Sequence, residues 1–171
     1  NLSFHDFNIE PVAIIGGGVT GASLAFSLKK RNIECFIVEK GHELGNGASG
    51  NLVAFQMPKL TLDDSIYGIF SLRSYLYSRN LAINLDSVPI SNGVIIFPNR
   101  DRENKKFEEL LNLKWPYELF HNYKSAEFQN FKNLHLFPNS GIVETKNFLK
   151  NLSKSVKFIS DFEVKKIDHF K

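Results

Sequence analysis

The sequence contains a single cysteine among its 171 residues. One cysteine excludes a disulfide framework within the chain and a zinc site built from several cysteines. That residue, Cys35, lies in an apolar run, so we expect a buried thiol that packs as a small hydrophobic side chain. No apolar run approaches the roughly 20 residues of a membrane-spanning helix, and we expect no membrane contact. No basic segment followed by an apolar one opens the chain, so we predict no signal peptide and a cytoplasmic location.

The composition is that of a globular protein, and its charge is mild. Hydrophobic residues make up 43% and charged residues 23%, which argues against a disordered chain and suits one domain or slightly more. The formal net charge is +3, and its excess lies in residues 100–171, which hold 14 basic and 10 acidic side chains. This excess would suit an anionic partner, but lysines on solvated helix faces are the simpler explanation. Because the first residue is not methionine, we interpret the sequence as part of a longer protein.

The first 40 residues predict a β–α–β unit. Residues 11–15 form a short apolar run that ends in glycines, which is typical of a strand buried in a parallel sheet. Residues 19–30 predict a helix with one face of small side chains, and residues 34–39 predict a second strand. The remaining patterns predict a long loop at 41–58, helices at 65–85, 101–113 and 145–154, strands at 94–97, 141–143, 156–159 and 162–167, and an irregular aromatic stretch at 115–136.

A glycine pattern follows the first predicted strand. Gly16, Gly18 and Gly21, with Val19 and Thr20 between them, fit the spacing G-x-G-x-x-G. The first glycine permits a tight turn, the second lets a pyrophosphate approach the backbone, and the third lets the helix pack closely on the sheet. Free amides and the dipole at the start of the helix would then bind the anion. The alternative is a glycine-rich turn in an ordinary α/β domain.

An acidic residue at the end of the second strand favours a dinucleotide site. Glu39 lies 18 residues after Gly21, about where a carboxylate accepts hydrogen bonds from a ribose. Its charge would repel a 2′-phosphate, which disfavours NADP and leaves FAD or NAD. A second segment of small residues follows, in which Ser49 could donate to a phosphate, although a flexible polar loop has the same composition. That segment consists of Gly47, Ala48, Ser49, Gly50 and Asn51.

Together these segments resemble the D-amino-acid-oxidase-like FAD oxidoreductases. The resemblance rests on residues 13–22, on Val-Glu-Lys at 38–40, on residues 47–51 and on Pro58. Within that superfamily the sequence resembles the FAD-dependent oxidase domain of the bifunctional tRNA 5-methylaminomethyl-2-thiouridine biosynthesis family. The resemblance implies an α/β fold: a Rossmann-like FAD-binding domain with an inserted α+β substrate domain, present as an incomplete fragment.

The resemblance also implies domain boundaries and a set of cofactor contacts. The implied segments are a linker at 1–10, the first part of the FAD-binding domain at 11–86, the start of the substrate domain at 87–140 and a return to the FAD-binding domain at 141–171. Lys40 and Val164 join the cofactor contacts, the latter as a strand residue packed against the adenine. The predicted FAD-binding residues are thus Gly16, Gly18, Val19, Thr20, Gly21, Glu39, Lys40, Gly47, Ala48, Ser49, Asn51 and Val164. No catalytic residue is assigned, and the scattered histidines predict no metal site.

The implied activity is oxidation of the secondary amine of 5-carboxymethylaminomethyluridine at the wobble position of tRNA. Hydrolysis of the resulting imine would release glyoxylate and leave an aminomethyl group, which a methyltransferase domain of the same polypeptide would methylate. Two alternatives stay open. The same fold could oxidise a free small amine such as glycine, sarcosine or a D-amino acid, or an incomplete FAD domain could bind only ADP-like ligands.

The predicted helix at 65–85 carries a further candidate surface. Its tyrosines and arginines could line an RNA-facing groove, because aromatic rings stack on bases and arginines hold phosphates. A core helix with a polar face explains the same pattern. The residues concerned are Tyr67, Arg73, Tyr75, Tyr77 and Arg79.

Overall fold

The computed structural model describes residues 10–87, 91–131 and 133–168. Its elements are β1 (Val12–Ile15), α1 (Val19–Lys29), β2 (Cys35–Val38), β3 (Val53–Gln56), α2 (Ile66–Asn84), β4 (Ser91–Ile96), α3 (Asp101–Asn112), β5 (His121–Tyr123), β6 (Leu134–Glu144), α4 (Thr145–Leu152) and β7 (Lys157–Ile159). They form two compact units: unit 1 holds the chain up to Leu52 and from Thr145 onward, and unit 2 is Val53–Glu144. No helix in the described ranges is both long and apolar enough to cross a membrane.

Unit 1 is built on a three-stranded parallel sheet in the order β1–β2–β7. Val12 pairs with Cys35 in the first ladder, and Ile37 pairs with Phe158 in the second. The β–α–β start and the parallel sheet confirm the predicted α/β class. Cys35 is buried, as predicted. The buried core of the unit consists of Ile14, Ala25, Cys35 and Ile37.

Small side chains seat α1 against this sheet. Gly21, Ala22 and Ala25 are the buried residues of the helix, which confirms the predicted small-residue face. Side chains of this size let a helix axis lie close to the strands that it covers. The start of α1 is therefore held at a fixed position beside the end of β1.

Unit 2 is an antiparallel sheet organised around the long strand β6. Strands β3, β4 and β5 all pair with β6, and the path order is β3–β6–β4. Ser65 caps the start of helix α2, and its hydroxyl oxygen accepts a 3.3 Å hydrogen bond from the amide of Gly68. The core of the unit is formed by Leu60, Leu110, Phe120 and Phe137.

A histidine lies inside the aromatic core of unit 2. The side chain of His135 is 1% exposed, and its ring stacks on Phe107 and Phe120 with centroid distances of 4.9 and 5.6 Å. Neither ring nitrogen has a hydrogen-bond partner within the described ranges. Because a charged imidazolium loses more hydration than a neutral ring, burial lowers the pKa of His135 below its ordinary value.

Helix α2 uses two of the five residues that were candidates for an RNA-facing groove in contacts within unit 2. Tyr75 is buried, and its hydroxyl oxygen accepts a 3.4 Å hydrogen bond from Ser140. The guanidinium of Arg79 donates to the carbonyl and side-chain oxygens of Asn139 at 3.1 and 3.0 Å. One of the tyrosines and one of the arginines proposed for the RNA-facing groove are therefore engaged in contacts within unit 2.

The strands of the structure differ from the predicted ones in four segments. The predicted loop at 41–58 contains β3, whose side chains are mostly exposed, so the strand shows no alternation of apolar and polar residues. The irregular stretch at 115–136 contains β5 and the start of β6, and the strand predicted at 141–143 is only the end of β6. The strand predicted at 162–167 is wrong. Asp161 turns the chain with φ +57°, and Phe162 and Ile167 are 56% and 67% exposed, with no core to cover them.

The compact units divide the chain at other points than the predicted domains. The domain boundaries that the resemblance implies lie at 86/87 and 140/141, whereas the units divide at 52/53 and 144/145. Strand β3 lies in unit 2 because it pairs with β6, and the side chain of Gln56 donates to Ser78 of α2 at 3.1 Å. The assignment of these units to FAD binding and to substrate binding stays a prediction.

Candidate functional site

The turn between β1 and α1 depends on glycine at its first and last motif positions. Gly16 has φ +103°, a conformation that side-chain-bearing residues rarely adopt, and its amide donates to the carbonyl of Val38 at 2.8 Å. A Cβ added at Gly21 would lie 2.0 Å from the carbonyl oxygen of Gly16. The tight turn and the close approach of the helix therefore both require a residue without a side chain.

The start of α1 presents backbone donors. The N-cap is Gly18, which has no side chain to satisfy the first amides of the helix. The amide of Val19 donates to the hydroxyl oxygen of Ser49 at 3.0 Å. Within the described ranges, the amides of Gly18 and Thr20 have no acceptor from the protein. With the positive end of the helix dipole, these amides form a position suited to an anion.

The second segment of small residues lies against the first. Ser49 belongs to a single 3-10 turn, Ala48–Gly50, and its hydroxyl oxygen would be 3.2 Å from a Cβ added at Gly18. The amide of Gly45 donates to the carbonyl of Gly17 at 2.9 Å and fastens the loop to the turn. The structure thus brings together two segments that the sequence singled out separately. The sequence analysis did not single out Gly45, which is one of several glycines in the predicted loop at 41–58.

Glu39 sits at the end of β2 and reaches the glycine turn. Its Oε2 accepts a 2.7 Å hydrogen bond from the amide of Gly17, and its Oε1 accepts a 3.0 Å bond from the amide of Gly41. These bonds, chiefly the one from Gly17, hold the pKa of the Glu39 carboxyl below its usual value, so the group is ionised at neutral pH. A carboxylate offers about four lone-pair directions, so each oxygen keeps capacity for a further donor.

These residues fit the diphosphate and the ribose of a dinucleotide. A Cβ added at Gly16 or Gly47 would meet no atom within 4 Å, so both positions face open space. The amides at the start of α1 provide donors for a diphosphate beside that space. Glu39 provides an ionised acceptor for ribose hydroxyls at the end of the neighbouring strand.

Most of the remaining residues predicted to contact the cofactor are exposed. Lys40, Gly47 and Ala48 are exposed, and the carbonyl oxygen of Asn51 accepts a hydrogen bond from the hydroxyl of Thr145. Val164 is half-buried and lies in the irregular segment 162–168 rather than in a strand, which corrects the predicted setting of this residue. Its contact with adenine stays a prediction, as do the other cofactor contacts. In the parts of the chain that are described, no group of three or more His, Cys, Asp or Glu side chains could hold a metal ion.

Comparison with known proteins decides the family. The sequence profile of the family described as FAD dependent oxidoreductase matches residues 11–169. The chain belongs to this family. FAD is the cofactor on which FAD dependent oxidoreductases rely, which confirms the cofactor implied by the resemblance and decides between the FAD and NAD that the glycine turn left open.

Curated relatives and a solved structure are similar to the chain. The chain is 34% identical over 109 residues, 62% of its length and 16% of the relative's, to tRNA 5-methylaminomethyl-2-thiouridine biosynthesis bifunctional protein MnmC from Marinomonas sp. (strain MWYL1). It is 28% identical over 170 residues, 92% of its length and 22% of the relative's, to MnmC from Shewanella denitrificans. The crystal structure of glycine oxidase from Bacillus cereus matches with a TM-score of 0.71 and 21% identity, over 92% of this chain and 49% of that one. The chain thus spans less than a quarter of these curated relatives.

Proposed function

We propose that this chain forms part of an FAD-dependent oxidoreductase that modifies tRNA in the cytoplasm. The observation that carries the proposal is the similarity to MnmC of Shewanella denitrificans, a protein named for tRNA modification, over 92% of the chain. The geometry of unit 1 supports it, because the glycine turn and Glu39 suit the diphosphate and ribose of FAD. The activity is proposed for the polypeptide that contains the chain.

The proposed substrate group is the secondary amine of 5-carboxymethylaminomethyluridine at the wobble position. FAD, when bound, supplies the two-electron oxidation that converts the amine and its carboxymethyl carbon to an imine. Water adds to that imine carbon, and the carbon–nitrogen bond breaks to release glyoxylate and leave an aminomethyl group on the uridine. A methyltransferase domain in the same polypeptide then methylates the new amine, in keeping with the word bifunctional in the relatives' name.

In this proposal, unit 1 of the chain binds the cofactor. The free amides of Gly18 and Thr20 donate to the diphosphate, and the hydroxyl of Ser49, which accepts from the Val19 amide, has its proton available for the same anion. The Glu39 carboxylate accepts from the ribose. The remaining proposed contacts are Gly47, Ala48, Asn51, Lys40 and Val164. Unit 2 is proposed to begin the substrate-binding domain.

The experiment is an anaerobic titration of the FAD-loaded protein, followed by visible absorbance. tRNA with the carboxymethylaminomethyl group is expected to bleach the flavin band, and the matched control, the same tRNA with an aminomethyl group, is expected to leave it unchanged. Bleaching by glycine or sarcosine but not by tRNA would overturn the substrate and favour oxidation of a free small amine. Protein that binds no flavin at all would overturn the cofactor assignment.

A further inference from the structure

Unit 2 contains a pocket that the proposed function does not use. The pocket has a volume of about 420 Å³ and lies along β5 and the segment that follows it; we call it the β5 pocket. That volume falls in the range of small-molecule sites. The residues of its lining that matter below are Asn122, Lys124, Phe128, Gln129 and Phe131.

The β5 pocket has an aromatic wall whose rings are fixed by one another. Phe97 contacts Phe128 and Phe131 edge to face, with ring centroids 5.5 and 5.0 Å apart, and Phe128 and Phe131 are 6.3 Å apart. Phe131 nevertheless stays 55% exposed. An exposed ring with a fixed orientation loses little entropy when a flat group stacks on it, which is how proteins bind unpaired bases.

Two side-chain amide groups in the lining of the pocket are available to bind a ligand. The side chains of Asn122 and Gln129 are exposed, and they form no hydrogen bond within the part of the chain that the structure describes. Asn133 is anchored instead, because its Nδ2 donates to Asn104 and Glu108 at 3.3 and 3.4 Å. A carboxamide presents a donor and an acceptor side by side, the combination that matches the edge of a nucleobase.

The charge of the lining suits a phosphate. Among the described residues that line the pocket, Lys124 is the charged one, and its side chain is exposed. No acidic residue of the described ranges lines it. A phosphate of a bound strand would therefore meet one positive charge and no opposing carboxylate in the lining.

We propose that the β5 pocket binds one unpaired nucleotide of an RNA strand. The base stacks on Phe131, the base edge meets the amides of Asn122 and Gln129, and the neighbouring phosphate meets Lys124. The inference rests on the proposed function for the source of the nucleotide, since it takes RNA as the partner. It adds a docking position within unit 2 for a nucleotide, apart from the residues of unit 1 that suit the cofactor.

The test is fluorescence anisotropy with the parent chain and a labelled single-stranded RNA of about six nucleotides. Phe131→Ala is expected to raise Kd about tenfold, because one base–aromatic stack is lost. Phe162→Ala is the matched control, since Phe162 is 56% exposed but lies in unit 1, and it is expected to leave Kd within about twofold. Lys124→Gln is expected to reduce the slope of log K against log salt by about 0.7, the value for one phosphate of a single strand.

The outcomes separate this inference from the proposed function. RNA binding that neither Phe131→Ala nor Lys124→Gln weakens overturns the pocket and leaves tRNA oxidation standing, because the flavin titration tests that activity independently. A parent chain that does not bind the RNA also overturns the pocket. If uridine monophosphate competes for the pocket as well as the RNA strand does, an RNA strand is not the specific occupant. If Phe131→Ala lowers the melting temperature of the chain, the test rests on the RNA affinities of Lys124→Gln and Gln129→Ala, which are both at exposed positions.

Discussion

The carboxylate of Glu39 accepts a 2.7 Å hydrogen bond from the amide of Gly17, which joins the end of β2 to the turn after β1. A second bond, from Gly41 to the other carboxylate oxygen, fixes the side chain from the opposite side. The carboxylate proposed to accept from a ribose is therefore oriented before a ligand arrives. Preorganisation of this kind lowers the entropy that binding costs.

Replacement of Glu39 tests that arrangement. Glu39→Ala is expected to weaken FAD binding by about 1–3 kcal/mol, because charge-assisted hydrogen bonds to the ribose are lost. Glu34→Ala is a suitable control, since Glu34 is an exposed glutamate just before the same strand. The Kd for FAD, measured by quenching of flavin fluorescence, gives the answer. Equal Kd values for the two variants would remove Glu39 from the site.

A side chain at Gly18 is expected to block the anion position. The Cβ of Gly18→Val would lie 3.2 Å from the hydroxyl oxygen of Ser49, and its methyl groups would cover the amides at the start of α1. The backbone of Gly18 has φ −78°, which valine accepts, so the fold is expected to persist while FAD affinity falls at least tenfold. Leu24→Val, at an exposed position of the same helix, is the control. FAD binding by Gly18→Val as tight as that of the parent would refute the assignment of the turn.

Gly21 is expected to matter for stability instead. The Cβ of Gly21→Ala would lie 2.0 Å from the carbonyl oxygen of Gly16, so α1 must shift away from the turn. We expect a loss of about 1–3 kcal/mol in the free energy of unfolding, as for other overpacked sites. Gly47→Ala, whose Cβ would meet no atom within 4 Å, is expected to change it by less than about 0.5 kcal/mol. Urea unfolding compares the two variants, and equal midpoints would contradict the close packing.

His135 is expected to make the stability of unit 2 depend on pH. Its pKa is lowered in the folded chain, so the unfolded chain binds the proton more tightly, and stability rises with pH where the two states differ. The free energy of unfolding is therefore expected to be constant above about pH 6.5 as far as His135 contributes, and to fall as the pH drops below that value.

The variant His135→Phe isolates this contribution, because it keeps an aromatic ring in contact with Phe107 and Phe120 but cannot be protonated. Urea unfolding between about pH 5 and pH 8 is expected to show a smaller loss of stability on acidification in the variant than in the parent. Parallel pH profiles for the two proteins would show that His135 is not the titrating group.

Local patterns were enough to predict the β–α–β start of unit 1 but not the sheet of unit 2. The apolar run before Gly16 and the small side chains of α1 specify strand and helix from neighbouring residues alone. Strand β3 depends on pairing with β6, in which Val53 lies opposite Glu144, a partner far along the chain. With Phe55 75% exposed, no burial pattern marks that strand in the sequence.

The sequence likewise predicted only part of the geometry of the candidate site. The proximity of Glu39 to the glycine turn follows from two adjacent parallel strands ending at one edge of a sheet. The contact between Ser49 and Val19 does not follow from any pattern, because it depends on the path of an irregular loop. The resemblance placed Val164 in a strand, and that assignment failed because the neighbouring residues Phe162 and Ile167 are exposed.

The two points at which the chain leaves and re-enters unit 1 are neighbours. The amide of Thr145 donates to the carbonyl of Leu52 at 3.3 Å, and within unit 2 Val53 lies opposite Glu144. The whole of unit 2 thus replaces what would otherwise be a short loop, and the entropy of closing a loop grows only with the logarithm of its length. A change in the length of unit 2 is therefore expected to alter the entropy of closing the chain of unit 1 only slightly.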